Sequence, residues 1–485
     1  MTEASVADHI EPYIWRIAGV VILGMIMSIL DTTIVNVALD TLGRDLHSSL
    51  SQIQWVITGY LLSLAAVIPV TGWAARRFGA KQVYLISVVL FTLGSTLCGL
   101  AGSATSLVAF RVLQGIGGGM IMPVGQMIMA QVAGPKRMGR VMGVVVMPAM
   151  LAPILGPVVG GLILQGFHWS WIFFVNVPIG ILALVLGMRM LPETDLGEPG
   201  RLDTVGFALL ATSMPLIVYG LAEIGTRGSL TAPTVIWPIL IGLALSVAFV
   251  WHALRVERPL LDIRLYANRV FGAASLTTFG LGAALFGAMI LVPLYYQQVR
   301  GESVIVTGLL VGPQGLGMLA VGPFNGRLTQ RFGGGRVAIV GVSILCLSTI
   351  PFGFIGAHTS ILGISLLLAV RGLGIGLSFM PTMTAAFASL RTDQLSDATP
   401  QMNVLQRLGG AIGTAVLAVV LQRAAAGAHS SAALASAFDT AYWWSLGIAV
   451  LSLIPCVVLL RAESPGAKIN PAGEAGEVSV EPLGA

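Results

Sequence analysis

Apolar runs of about 20 residues, the length that carries a helix across roughly 30 Å of hydrocarbon, recur along the chain between short polar stretches. Fourteen such runs predict fourteen helices, at 17–39, 53–73, 82–101, 106–131, 139–163, 171–190, 205–224, 234–254, 271–296, 304–326, 337–356, 361–389, 402–422 and 441–460. The first is too long for a removed signal sequence and is followed by further spans, so it is expected to stay in the mature protein. Residues 1–16 and 462–485 flank the spans. The Pro-, Gly- and Glu-bearing tail is expected to be disordered.

Composition agrees with the pattern. Of the 485 residues 56% are hydrophobic and 10% charged, against about 25% charged in a soluble domain, which makes this an all-α integral membrane protein. The net charge of +5 follows from topology. With both termini on the cytoplasmic side, 19 of the 26 Lys and Arg fall in cytoplasmic segments, as the retention of positive loops requires. Arg44, Arg227, Arg300 and Arg423 fall outside, and Arg111, Arg371 and Arg407 lie within spans. No nucleic-acid partner is needed to explain the basic charge. Cys98, Cys346 and Cys456 sit singly in apolar runs, and the six histidines lack metal-site spacing, so neither a disulfide framework nor a metal is expected. The glycine-rich "QGIGGGM" lies inside a span with no lysine after it. It is therefore no phosphate loop, and no cofactor is expected.

The loop after the second run reads "GWAARRFGAK", Gly72 to Lys81, and that after the tenth reads "GRLTQRFGGG", Gly326 to Gly335. Gly72, Arg77, Phe78 and Gly79 coincide with Gly326, Arg331, Phe332 and Gly333 at an offset of 254 residues. Halves duplicated about an axis along the membrane normal are a transporter architecture, with substrate bound between them. Eight spans separate the copies, so two extra spans lie between the halves. The predicted organisation is a six-helix bundle at 17–190, a linker with two extra helices at 191–270, and a second six-helix bundle at 271–461.

On four motifs the sequence resembles the fourteen-span drug/proton antiporters of the EmrB/QacA type within the major facilitator superfamily. They are "LDTTIVNVAL" from Leu30, "RVLQGIGGG" from Arg111, "GPVVGG" from Gly156 and "WIFFVNVPIG" from Trp171. The resemblance implies the major facilitator fold and a bacterial cytoplasmic (inner) membrane location. It also implies small-molecule and proton partners, and an antiporter motif that includes Pro153, Gly156, Pro157, Gly160 and Gly161. Gly72, Arg77, Gly79 and Lys81 would form the cytoplasmic gating loop. That loop departs from the family pattern at Arg76, where many relatives are acidic, and Ser170 stands where relatives often have Arg.

Ionisable residues in spans are costly and mark cavities, pairs or proton paths. Asp31 and Arg111 lie at similar depth on antiparallel spans, with Gln114 beside Arg111. Two readings of the pair stay open: Asp31 exchanging between a proton and Arg111, or a static pair that fixes helix packing. Asn36 and Arg371 are expected to line or support the cavity. Arg407 is expected to snorkel to the inner interface. The function expected is proton-coupled efflux of amphipathic or cationic compounds by alternating access. The alternatives are a dedicated exporter of one endogenous metabolite, siderophore or lipid, and a transporter-like sensory or structural protein. No convergent catalytic cluster suggests an enzyme. An accessory adaptor protein is compatible with the sequence but not required by it.

Overall fold

The computed structural model describes residues 11–193, 200–227, 231–356, 358–428 and 430–463, which are helical nearly throughout. We number the crossing helices α1 Pro12–Val37, α2 Leu50–Val67, α3 Ala80–Gly99, α4 Ala104–Gly166, α5 Asn176–Met190, α6 Thr204–Arg227 and α7 Pro233–Arg255. The second half contributes α8 Arg269–Leu294, α9 Val304–Phe332, α10 Gly334–Thr349, α11 Ile361–Ala388, α12 Leu395–Ala425 and α13 Ser431–Leu451. A 3-10 turn at Ile68–Val70 carries α2 into a last stretch, Thr71–Phe78. Among the described residues thirteen helices are long and apolar enough to span a bilayer.

The fifth predicted span, 139–163, is not a separate helix but the returning limb of α4. Arg111 bonds Asp31 of α1, and a side chain at Gly156 would meet Thr33 of the same helix. About 45 residues of straight helix would separate these points by roughly 68 Å, so α4 reverses between them despite its unbroken helical backbone. Most side chains of 134–154, and that of Pro157, lie outside the described residues, and with them the expected roles of Pro153 and Pro157.

Helix starts explain themselves locally. At the end remote from the basic loops, Ser49, Ser103, Ser303, Ser360 and Ser430 cap α2, α4, α9, α11 and α13, each hydroxyl satisfying an N–H that hydrocarbon could not. At the basic end, α3 and α10 start from Gly79 (φ 84°) and Gly333 (φ 86°), a left-handed conformation that glycine takes without strain. The loop repeat is thus the same turn built twice. Each copy meets a glutamate from the end of its own half. Lys81 pairs with Glu193 at 3.3 Å, and Glu463 accepts from Gly334 N and Gly335 N at 3.1 and 2.7 Å.

The extra helices α6 and α7 pack on each other through Gly220 and Gly242 and are tied at one end by Asp203 and His252, 2.8 Å apart. Trp55 of α2 stacks on Tyr219 of α6 with centroids 5.8 Å apart, and Trp73 donates to Gly200 O at 3.1 Å. The linker pair therefore leans on the first bundle rather than standing apart from it.

Candidate functional site

Three helices of the first bundle converge on one carboxylate. Asp31 and Arg111 are both 0% exposed, and Arg111 Nη1 donates to Asp31 Oδ2 at 2.5 Å. Gln114 Nε2 donates to Asp31 Oδ1 at 2.8 Å, and Asn176 Nδ2 of α5 donates to the same oxygen at 3.0 Å. Gln114 also holds the cation, its Oε1 accepting from Arg111 Nη1 at 2.8 Å. Arg111 Nε donates to Val56 O of α2 at 3.1 Å, and its guanidinium lies 4.1 Å from the Tyr60 ring centroid. Asn176 donates to Ser95 Oγ of α3 at 3.0 Å, and Ser95 donates to Phe173 O at 2.9 Å. The result is a buried ion pair whose partners have further hydrogen bonds, the condition under which an ion pair survives desolvation.

The close approach depends on missing side chains. Gly94 lets α3 lie against the backbone of Gln114, and Gly115 lies on Tyr60 and Ser63. Gly156 and Gly160 bring the returning limb of α4 against Thr33 and Ile34, one turn past Asp31, and Gly161 faces Ile305 of α9 in the other bundle. Gly156, Gly160 and Gly161, the glycines of the expected antiporter motif, thus sit between the Asp31 helix and the second half of the chain.

A second constellation joins the halves at the basic end. Arg76 Nη1 donates to Asp397 Oδ1 at 2.9 Å and to Ser396 Oγ at 2.5 Å, and Gly72 lies on the Ser396 carbonyl. Farther in, Asn403 Nδ2 donates to Gln126 Oε1 of α4 at 2.8 Å. Beside these contacts is a polar cavity lined by Trp73, Arg76, Arg201, Asp203, Arg258 and Asp397, among others.

Asp31, Arg111 and Gln114 are therefore brought together as the sequence predicts; Asn36 is not. It is exposed, and its Nδ2 donates to Thr32 O at 3.3 Å. Five residues along a helix rotate a side chain about 140° away, so Asn36 cannot share the face of Asp31. Arg371 is 2% exposed in the second bundle, 5.9 Å from the Phe352 ring, and its Nε and Nη1 have no hydrogen-bond partner. It sits on the helix that repeats the Arg111 limb but outside the Asp31 cluster. Of the expected gating loop, Gly72 lies at the interface and Gly79 shapes the turn. Arg77 is exposed, and Lys81 pairs within its own half. The cross-bundle contact is made instead by Arg76, the residue that departs from the family pattern. Arg407 is half-buried, with the Tyr60 phenol of the first bundle within its electrostatic reach. Asn176 and Tyr60 were missed. Asn176 stands in the quoted "WIFFVNVPIG", where an amide amid apolar neighbours was the available signal.

The Major Facilitator Superfamily profile matches residues 21–414. The chain is 39% identical over 422 residues to "Multidrug resistance protein B homolog" of Mycobacterium tuberculosis, covering 86% of this chain and 78% of that protein. It is 31% identical over 399 residues to "Multidrug export protein EmrB" of Haemophilus influenzae, covering 81% and 78%. A solved proton:xylose symporter, XylE, superposes with a TM-score of 0.63 at 15% identity, over 91% of this chain and 94% of that one, a likeness of fold. The chain is a multi-pass membrane transporter, not an enzyme, and belongs to the major facilitator superfamily, in the drug/proton antiporter group that its motifs resemble.

Proposed function

We propose that the chain exports amphipathic compounds from the cytoplasm in exchange for protons by alternating access. It would act in a bacterial cytoplasmic membrane with both termini inside, and the bundles at 17–190 and 271–461 would rock about the central seam. The names of its relatives support drug export. The observation that carries the proton coupling is the enclosure of Asp31 by three donors from two neighbouring helices, Arg111 and Gln114 of α4 and Asn176 of α5, with Arg111 held in turn by Val56 O of α2.

The cluster has the chemistry of a proton-linked switch. Ionised, Asp31 is held by Arg111, Gln114 and Asn176. A proton on Oδ2 cancels the counter-charge of Arg111 but leaves the guanidinium held by Gln114 Oε1 and Val56 O. A buried cation stripped of its partner costs about 3–5 kcal/mol, so the protonated cluster favours a rearrangement that resolvates or re-pairs Arg111. Gly156 and Gly160, packed against α1 one turn away, support a rearrangement at the seam between the bundles. At the basic end, Arg76 with Asp397 and Ser396 latches the halves on the cytoplasmic side. A cationic compound reaches Asp31 only after the Arg111 pair has opened.

The test is Asp31→Asn in proteoliposomes with an imposed pH gradient and a panel of dyes, drugs and cell lipids. We expect gradient-driven efflux to vanish while the protein still folds, because Gln114 and Val56 O continue to hold Arg111. Undiminished gradient-driven efflux from the variant would reduce the Asp31–Arg111 pair to a packing element. Movement of a single natural compound by the unmodified protein would select the dedicated exporter, and movement of none the sensory reading.

A further inference from the structure

Asp31 cannot read the charge of a substrate while it is enclosed and fully hydrogen bonded, so that task falls to another group. Arg407 is placed for it. It forms no hydrogen bond or ion pair with any described residue, and the ionisable group within its reach is the phenol of Tyr60. It is half-buried rather than sealed off.

Its orientation follows from the faces of α12. Gln406 presents its carbonyl to Gly282, and Gly409 and Gly413 lie on the Phe279 and Ala283 carbonyls, so that face is packed on α8. Val404 and Leu408 pack against the apolar cluster of α2, α6 and α7. Asn403, four residues before Arg407 and so on the same face, reaches across to Gln126 of α4. Arg407 therefore points toward the first bundle about 6 Å, one helical turn, beyond the Asn403–Gln126 contact. There it stands between the contacts that close the basic end and the Tyr60–Arg111 stack.

An arginine in a membrane interior without a counter-charge is costly, and its planar fork of donors matches a carboxylate. A cation arriving at this level meets like charge, whereas an anion supplies what Arg407 lacks. We propose that Arg407 reads substrate charge and that the compounds exported carry a carboxylate or similar anionic group on an apolar body; this rests on the export reading above. Neutralising Arg407 also links binding to switching, because the residue adjoins the Asn403–Gln126 contact that must break for the basic end to open.

The test uses three probes on one scaffold, 2-naphthylacetic acid, its methyl ester and 2-naphthylethylamine. Binding to purified full-length protein is read by calorimetry, and transport in proteoliposomes under a pH gradient. The unmodified protein should favour the acid over the amine. Arg407→Gln should weaken the acid at least tenfold in binding and transport and change the ester less than twofold. Arg407→Lys should fall between, and Arg407→Glu should reverse the acid–amine order. Equal losses for all three probes, a preference for the amine in the unmodified protein, or no binding of any probe overturns the proposal. Acid binding that is lost in Arg407→Gln, without transport in any protein, sustains it and sinks the export reading instead.

Discussion

Asn176 donates to both Asp31 Oδ1 and Ser95 Oγ, so it ties the carboxylate to α3 as well as to α5. A hydrogen bond to a charged group contributes about 1.5–3 kcal/mol, and in hydrocarbon no water replaces it. Asn176→Ala should therefore slow gradient-driven efflux about tenfold or more. Substrate binding should change little, since Asn176 is buried behind Asp31; flux and calorimetry on the same preparation check both. An equal loss of binding would place Asn176 in the substrate path. The same residues show what the sequence discloses at this scale. Asp31 and Arg111 were legible because a charge in an apolar run is costly and needs a reason, and Gln114 because it lies three residues from Arg111 on one helix face. Asn176 and Tyr60 carry no net charge; the amide of Asn176 amid apolar neighbours was a weak signal, and only the fold shows that either residue serves the Asp31–Arg111 pair. Asn36 lies five residues from Asp31, and helix geometry turns it away from that carboxylate.

At the scale of the element, the seam between α1 and the returning limb of α4 depends on Gly156 and Gly160. A Cβ at Gly160 would stand 2.9 Å from Ile34 Cγ1 and 3.2 Å from Ile34 O, inside normal contact distance on a backbone that cannot give way. Overpacking of this kind costs about 1–3 kcal/mol. We expect Gly160→Val to fold with a lowered melting temperature and to push α4 away from α1. Proteoliposomes bearing the variant should then dissipate a pH gradient faster without substrate than those of the unmodified protein. A wild-type leak rate together with a lowered melting temperature would restrict the glycine to packing. Hydropathy divided the chain at this element better than backbone geometry does. The runs 106–131 and 139–163 read as two spans, whereas the helix continues through the connection, and the reversal shows only in what Arg111 and Gly156 touch. The caps were not read at all, although Ser49, Ser103, Ser303, Ser360 and Ser430 stand just ahead of their apolar runs.

For the whole molecule, the repeated architecture was legible in the two loop copies, because a turn that needs a left-handed glycine and a basic end leaves the same letters twice. The latch between the halves was not. Arg76 and its partner Asp397 are 321 residues apart, and a single sequence shows a charge without its counterpart, so Arg76 looked like a defect in the loop. In the structure it is half of a complementary pair whose side chains are 15% and 19% exposed. Such a pair holds the basic end closed more firmly than a fully exposed one, for which about 0.2–1 kcal/mol is usual. Arg76→Asp sets two carboxylates against each other, and Asp397→Arg sets two guanidinium groups together. Either change should open the basic end and shift the conformational equilibrium by tenfold or more, which corresponds to about 1.4 kcal/mol. The exchange Arg76→Asp with Asp397→Arg restores opposite charges in the same place and should recover most of the closed population. Spin labels at the exposed positions Arg77 and Arg391 report the separation of the two halves directly. Single variants should show a longer distance component that shrinks again in the double variant. If the double variant stays as open as the singles, the Ser396 and Gly72 contacts rather than the charges hold the latch. Gly72→Val alone should then open it as far as either charge variant.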